Sequence, residues 1–192
     1  QKDASPPLFY LLSSVALKFG NDEFHLRLVS ALASVALVWI TYRLARLFMH
    51  RGASAFAAAL TALSPYQLMF AQEARTYTLV AALTAASLYL FCRAAVLERA
   101  RAWIPYVIVT ALAIYTQSIA ALGLGVQAAL AITMSSGRRR LAAWAACLAA
   151  VVVLYLPWAF VSAAQMSHLS HSHWYVRQPT GHGVFLVFRD LL

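Results

Sequence analysis

The chain has 192 residues, of which 62% are hydrophobic and 11% charged, and its mean hydropathy is +0.71. A soluble domain of this size carries about twice that share of charge, so a water-soluble globular fold is excluded and an integral membrane protein is expected. The formal charge of +9 would suggest nucleic acid in a soluble protein. Here the arginines gather in short loops between apolar runs, as membrane topology demands, and no nucleic-acid partner is expected.

The chain begins at Gln1 with no Met, basic n-region or signal-type apolar segment, and reads as a piece of a longer chain. Pro6-Pro7 precedes an amphipathic stretch from Leu8 to Phe19, which ends at Gly20-Asn21. It is too short to cross a bilayer, which takes about 20 apolar residues, and is expected to lie along the interface. A first span is predicted from about His25 to Phe48, with Arg43, Arg46 and Arg51 crowding its far end. A second runs from about Ala53 to Phe70, with Pro65 near its exit, and a third from about Arg75 to Cys92, closed by Arg93.

Between the second and third spans lies Gln72-Glu73-Ala74-Arg75, in which Glu73-Ala74-Arg75 is an ionised triplet between two apolar stretches. Charge at the centre of a spanning helix costs roughly 2.5–3.5 kcal/mol and less near the interface, so a membrane protein that keeps both signs here is expected to use them. If both charges stood on one helix, they would pair poorly, because residues two apart do not face each other.

Trp103 to Met134 is long for one span and short for two. Gly137-Arg138-Arg139-Arg140 and the Arg99/Arg101 link should both be cytoplasmic, which requires two crossings between them. Two short helices broken near Gln117-Ser118 are therefore predicted. A last span covers roughly Leu141 to Ala163, and a polar tail from Gln165 is expected outside. The fold class is all-α: a polytopic bundle of about six spans plus one interfacial helix. It forms a single domain, with 1–24 an extracytoplasmic loop, 25–163 the transmembrane helices and 164–192 the start of an outer loop. Arginines 43, 46, 51, 93, 99, 101, 138, 139 and 140 fall inside, while Asp3, Asp22, Glu23, Glu73 and Asp190 fall outside. The polar chemistry is expected on the extracytoplasmic face. Small residues such as Ala57, Ala58, Ala81 and Ala82 permit close helix packing.

Cys92 and Cys147 each sit within an apolar run and read as small hydrophobes rather than a disulfide or metal pair. His168, His171 and His173 do not follow a zinc spacing and have no Cys or carboxylate beside them. They are expected in a polar outer loop, with Trp174-Tyr175 as an interfacial belt or a sugar-stacking surface. No cofactor is expected; a divalent metal stays open without any residue pattern that indicates one.

Three stretches taken together resemble one family. Asp3-Ala4-Ser5-Pro6-Pro7-Leu8-Phe9-Tyr10 is similar to its D-x-H-P-P-L-Y-Y element. Phe19-Gly20 through Glu23, Leu26-Arg27-Leu28 and Ser30-Ala31 is similar to F-G-x-S-E-x-x-L-R-L-P-S-A. Ser64-Pro65 with Ala71-Gln72-Glu73-Ala74-Arg75-Thr76-Tyr77 is similar to L-S-P…S-Q-E-A-R-x-Y. Tyr115-Thr116 and Leu156-Pro157-Trp158 fit later positions. The resemblance is to the polytopic GT-C glycosyltransferases, in the group of dolichyl-phosphate-mannose protein mannosyltransferases and the lipid A aminoarabinose transferase. Ser5 stands where the family commonly has His, Val29 where it has Pro, and Gln117 where a His often follows Tyr-Thr. The family's first spanning helix and its acidic loop motif would lie before Gln1, and residues 1–192 are expected to be inactive alone.

The resemblance implies transfer of a sugar from a polyprenyl phosphate to a lipid, glycan or protein acceptor outside the cytoplasmic (inner) membrane, and the alanine-rich composition suggests a bacterium. It implies Glu73 and Asp3 as catalytic carboxylates and Arg75, Gln72, Tyr77, Tyr10 and Arg27 as substrate-binding residues. The residue types suit that chemistry. A leaving phosphate needs a cation, and arginine can meet it bidentately; a carboxylate can orient or deprotonate an acceptor hydroxyl. Each has a blander role open to it. Glu73 can be a helix-start charge, Asp3 a solvated loop charge, Arg75 a lipid-headgroup contact or an ion pair with a neighbour, Arg27 a snorkelling side chain, and Tyr10 and Tyr77 members of an aromatic belt. Two other classes of function also stay open: a transporter or lipid flippase, and a non-catalytic scaffold subunit. The first would place polar residues at broken helices near the bilayer midplane, whereas five of the six acidic residues here, all but Glu98, are expected at one face.

Overall fold

The computed structural model describes residues 7–18, 20, 22–97, 100–134 and 138–170. The chain divides into two compact units, Ser5–Leu156 and Pro157–Leu192 with Gln1–Ala4. Among the described residues there are eight α-helices and no strands. They are α1 (Leu8–Ala16), α2 (Glu23–Ala45), α3 (Arg51–Leu63), α4 (Pro65–Gln72), α5 (Tyr77–Leu97), α6 (Trp103–Thr116), α7 (Leu122–Met134) and α8 (Arg138–Ser170), with single 3₁₀ turns at Ala100–Ala102 and Ser118–Ala121.

Local chemistry sets the boundaries. Glu23 stands in the first turn of α2 and Arg43 in its last, each on the side the helix dipole favours. His50 caps α3, its Nδ1 accepting from Ala53 N–H at 3.0 Å. The expected second span is two helices. Ser64 is extended (φ −62°, ψ 125°), as a residue before proline tends to be, and Pro65 then opens α4 at a position where its missing N–H costs nothing. The predicted break at Gln117-Ser118 is present: Gln117 is extended (φ −162°, ψ 131°) and ends α6.

Side-chain contacts give the direction of each helix. Ser30 meets Arg75, and Arg43 meets Tyr89, so α2 and α5 run parallel. Thr76 meets Gln117, and Ser87 meets Thr110, so α6 is antiparallel to α5. Tyr106 meets both Gln127 and Trp144, and Tyr115 meets Leu154, so α7 reverses α6 and α8 runs with it. With α3–α4 returning after α2, the chain makes six alternating passes. Glu23–Ala45, Tyr77–Val96 and Leu141–Ser162 are long and apolar enough to cross a membrane; Trp103–Thr116 and Ser118–Thr133 are shorter apolar passes.

The burial pattern is that of a bundle in lipid. Leu32, Val35, Phe56 and Leu63 are more than 60% exposed, while Ser30, Ser54, Ser87, Thr116 and Gln127 are at most 2% exposed. Large apolar side chains turn outward and small or hydrogen-bonded polar ones pack between helices, which is stable where the surroundings are hydrocarbon. Between α5 and α6, toward the end of the bundle away from residues 73–75, Phe91, Cys92, Trp103 and Tyr106 form the main apolar cluster. A polar network threads beside it. The Tyr106 hydroxyl donates to Gln127 Oε1 (2.7 Å), Gln127 Nε2 donates to Ser87 Oγ (2.9 Å), and Ser87 and Thr110 hydroxyls share a bond of 2.6 Å.

In the smaller unit, the described residues 157–170 are helical, with Ser162 Oγ donating to Ala159 O at 3.1 Å. Gln165 and His168, expected in an outer loop, stand on this helix. His171, His173, Trp174 and Tyr175 lie outside the described residues.

Candidate functional site

The ionised triplet occupies an elbow between α4 and α5. Glu73 ends α4 in an extended conformation (φ −93°, ψ 138°), and the amide of Arg75 bonds back to Glu73 O at 2.9 Å, closing a tight turn over Ala74. The segment is not a helix, so the poor pairing expected of two such residues on one helix does not apply, and the ion pair with a neighbour left open for Arg75 is present. Here the helix stops at Gln72, the chain folds back over Ala74, and the turn brings Arg75 Nε to 3.6 Å from Glu73 Oε2. Both side chains reach solvent, Arg75 at 65% and Glu73 at 39% exposure. A pair this exposed contributes about 0–1 kcal/mol, so either partner can leave it at small cost.

The backbone of the elbow is held from three sides. Ser30 Oγ on α2 donates to Arg75 O at 3.2 Å, and Thr76 Oγ1 donates to Gln117 Oε1 at 3.1 Å. Thr78 Oγ1 donates to Phe70 O at 2.9 Å, while the Phe70 and Tyr77 rings pack at 4.9 Å. The corner beyond Gln117 is braced in turn: Ser118 and Tyr155 hydroxyls lie 3.0 Å apart, and Tyr115 donates to Leu154 O at 2.8 Å. Ser30 and Thr78 are buried and Thr76, Gln117 and Tyr155 half-buried, so most of the supports are more enclosed than the two charges they hold.

The other expected site residues fall as follows. Gln72 is the last residue of α4, and it and Tyr77 flank the turn with exposed side chains. Arg27 is on α2, one turn before Ser30, and pairs with Glu23 at 3.1 Å. Tyr10 is exposed on α1, with its ring edge-on to buried Phe9. Asp3 lies outside the described residues. Sequence reasoning misses Ser30, Thr76, Gln117, Ser118 and Tyr155 as supports. Gln117 carries a signal, since it is a polar residue at a helix break where the resembled family often has His; isolated Ser30 and Tyr155 carry none. Among the described residues, no group of three or more His, Cys, Asp or Glu could hold a metal ion.

One turn into α5 the elbow gives onto an apolar groove of about 470 Å³ between α5 and the start of α7. Val80, Thr84 and Leu88 form one wall, and Ile119, Leu122 and Gly123 the other. Gly123 is required for this approach, because a Cβ there would stand 2.9 Å from the Thr84 methyl.

An all-helical bundle with an apolar perimeter, and an elbow at the end that also carries Asp22 and Glu23, defines a polytopic membrane protein whose acidic groups, among the described residues, gather at one end while Arg43, Arg46 and Arg93 stand at the other. The family model for dolichyl-phosphate-mannose-protein mannosyltransferase matches residues 3–162. The chain belongs to that family of GT-C-type membrane glycosyltransferases. Comparison with the curated proteins and with the solved structures finds no match.

Proposed function

We propose that this protein transfers a sugar from a polyprenyl-phosphate donor to a lipid, glycan or protein acceptor at the extracytoplasmic face of the inner membrane, with the elbow as part of its active site. The observation that carries this reading is the pinned Glu73–Arg75 turn. A carboxylate and a guanidinium stand side by side on a rigid backbone, at the bundle end beside an apolar groove.

In the transfer, the bond from the anomeric carbon to the phosphate oxygen breaks and a bond from the acceptor oxygen to that carbon forms. The electron pair leaves with the phosphate, whose growing charge Arg75 meets. The acceptor hydroxyl proton passes to a carboxylate, here Glu73, with Asp3 as a second acid or base. Because the Glu73–Arg75 contact is weak, an incoming phosphate displaces it readily and leaves Glu73 available for the acceptor. The donor's prenyl tail lies in the groove between α5 and α7. Gln72, Tyr77, Tyr10 and Arg27 line the sugar and headgroup side.

The test is sugar transfer by the intact protein in membranes supplied with a polyprenyl-phosphate sugar. Glu73→Gln is expected to abolish transfer while thermal unfolding stays unchanged. Wild-type turnover by this variant removes Glu73 from the mechanism.

A further inference from the structure

At the end of the bundle opposite the elbow, the guanidinium of Arg43 is set in an aromatic cage. Its Nη2 donates to the Tyr89 hydroxyl at 3.0 Å, and its central carbon lies 5.1 Å from the Trp39 ring and 5.7 Å from the Tyr89 ring. Tyr89 is buried, but Trp39 is 57% exposed and faces the bundle's apolar perimeter. The cage thus fixes the cation's orientation without enclosing it, and the guanidinium edges not used by Tyr89 remain open.

No carboxylate balances this charge among the described residues. Asp22, Glu23 and Glu73 are the acidic residues there, and all three are at the elbow end; from Glu23 to Arg43, α2 rises about 30 Å. The neighbours are cations. Arg46 follows Arg43 by one turn, with Nη1 on Met49 O at 2.9 Å, and Arg93 is exposed one turn beyond Tyr89 on α5. Topology alone explains why arginines gather at this end. It does not explain why one of them is stacked and hydrogen-bonded on the seam of two helices, next to a tryptophan that faces lipid.

We propose that Arg43, oriented by Trp39 and Tyr89, binds the phosphate of an anionic phospholipid headgroup on the α2–α5 seam, with Arg46 and Arg93 flanking it. The occupant is a membrane lipid rather than free phosphate, because the cage stands on the apolar perimeter, where a headgroup arrives with its acyl chains along the exposed faces of α2 and α5. The site is separate from the elbow and does not depend on the transfer reaction.

The experiment titrates the intact protein, in neutral detergent, with phosphatidylglycerol, phosphatidylcholine or inorganic phosphate, and follows the melting temperature. Saturable stabilisation by phosphatidylglycerol alone is expected. Arg43→Gln should weaken it about fivefold, the weight of one basic residue at an anionic surface. Tyr89→Phe, which leaves net charge unchanged, should weaken it in the same direction, while Arg51→Gln should leave it near wild type. Equal losses in Arg51→Gln and Arg43→Gln, unchanged binding in Tyr89→Phe, or equal stabilisation by inorganic phosphate would each overturn the proposal. If Arg43→Gln does not fold, Tyr89→Phe decides alone.

Discussion

Gln127 offers the sharpest test of how the bundle is held together. It is 2% exposed and spends both ends of its amide on other helices, accepting from Tyr106 at 2.7 Å and donating to Ser87 at 2.9 Å. Gln127→Leu keeps nearly the same volume, so no cavity term enters. Two interhelical hydrogen bonds are lost, each worth about 0.6–2 kcal/mol in a membrane, and the Tyr106 hydroxyl keeps its bond from Trp144 Nε1 (3.2 Å) but loses the acceptor for its own proton. The expected destabilisation is about 1–4 kcal/mol, read as a fall in unfolding midpoint in detergent. Adding Tyr106→Phe removes the stranded donor, so the double variant should be less destabilised than the sum of the two single ones, because deleting both partners costs less than deleting one. An unchanged or raised midpoint for Gln127→Leu, or strict additivity with Tyr106→Phe, would refute the reasoning.

Other outcomes follow from the elbow and the groove. Gln117→Leu deletes the acceptor of Thr76 and should slow sugar transfer about tenfold, the equivalent of one hydrogen bond of about 1–1.5 kcal/mol; Gln117→His, which keeps an acceptor nitrogen, should stay near the wild-type rate. Gly123→Ala should lower the unfolding midpoint, because the new Cβ meets the Thr84 methyl at 2.9 Å. In a Thr84→Ser background, which lacks that methyl, the same change should raise the midpoint through the better helix propensity of alanine. A stabilising Gly123→Ala in the wild-type background would show that α5 and α7 do not approach so closely.

Much of the fold is legible because hydrophobic run length and arginine placement are strong, redundant signals. The break at Gln117-Ser118 follows from charge bookkeeping: two arginine-rich loops have to share a side, and the structure reverses direction there between α6 and α7. The importance of Gln72–Arg75 is visible for the same reason, as charge flanked by apolar sequence. The pairing of Glu73 with Arg75 is not legible, because it depends on one extended residue, and a helical reading of the segment turns the two side chains apart. The separation of α3 from α4 is half visible in Pro65. Ser30, Ser87 and Gln127 leave no trace, since a single polar residue in an apolar run has no periodicity. Their partners lie in the elbow or on other helices, 45, 23 and 21 positions away. The continuation of α8 to Ser170 is hidden because polarity after Gln165 reads as the end of a spanning helix.

The placement of the elbow at the outer face is the claim on which the proposed chemistry depends, and labelling tests it directly. Glu73→Cys is introduced with Cys92 and Cys147 replaced by alanine, and intact cells are treated with a membrane-impermeant maleimide. The account predicts that position 73 labels in intact cells as fully as in permeabilised ones. Labelling only after permeabilisation would put the Glu73–Arg75 turn on the cytoplasmic side and contradict it.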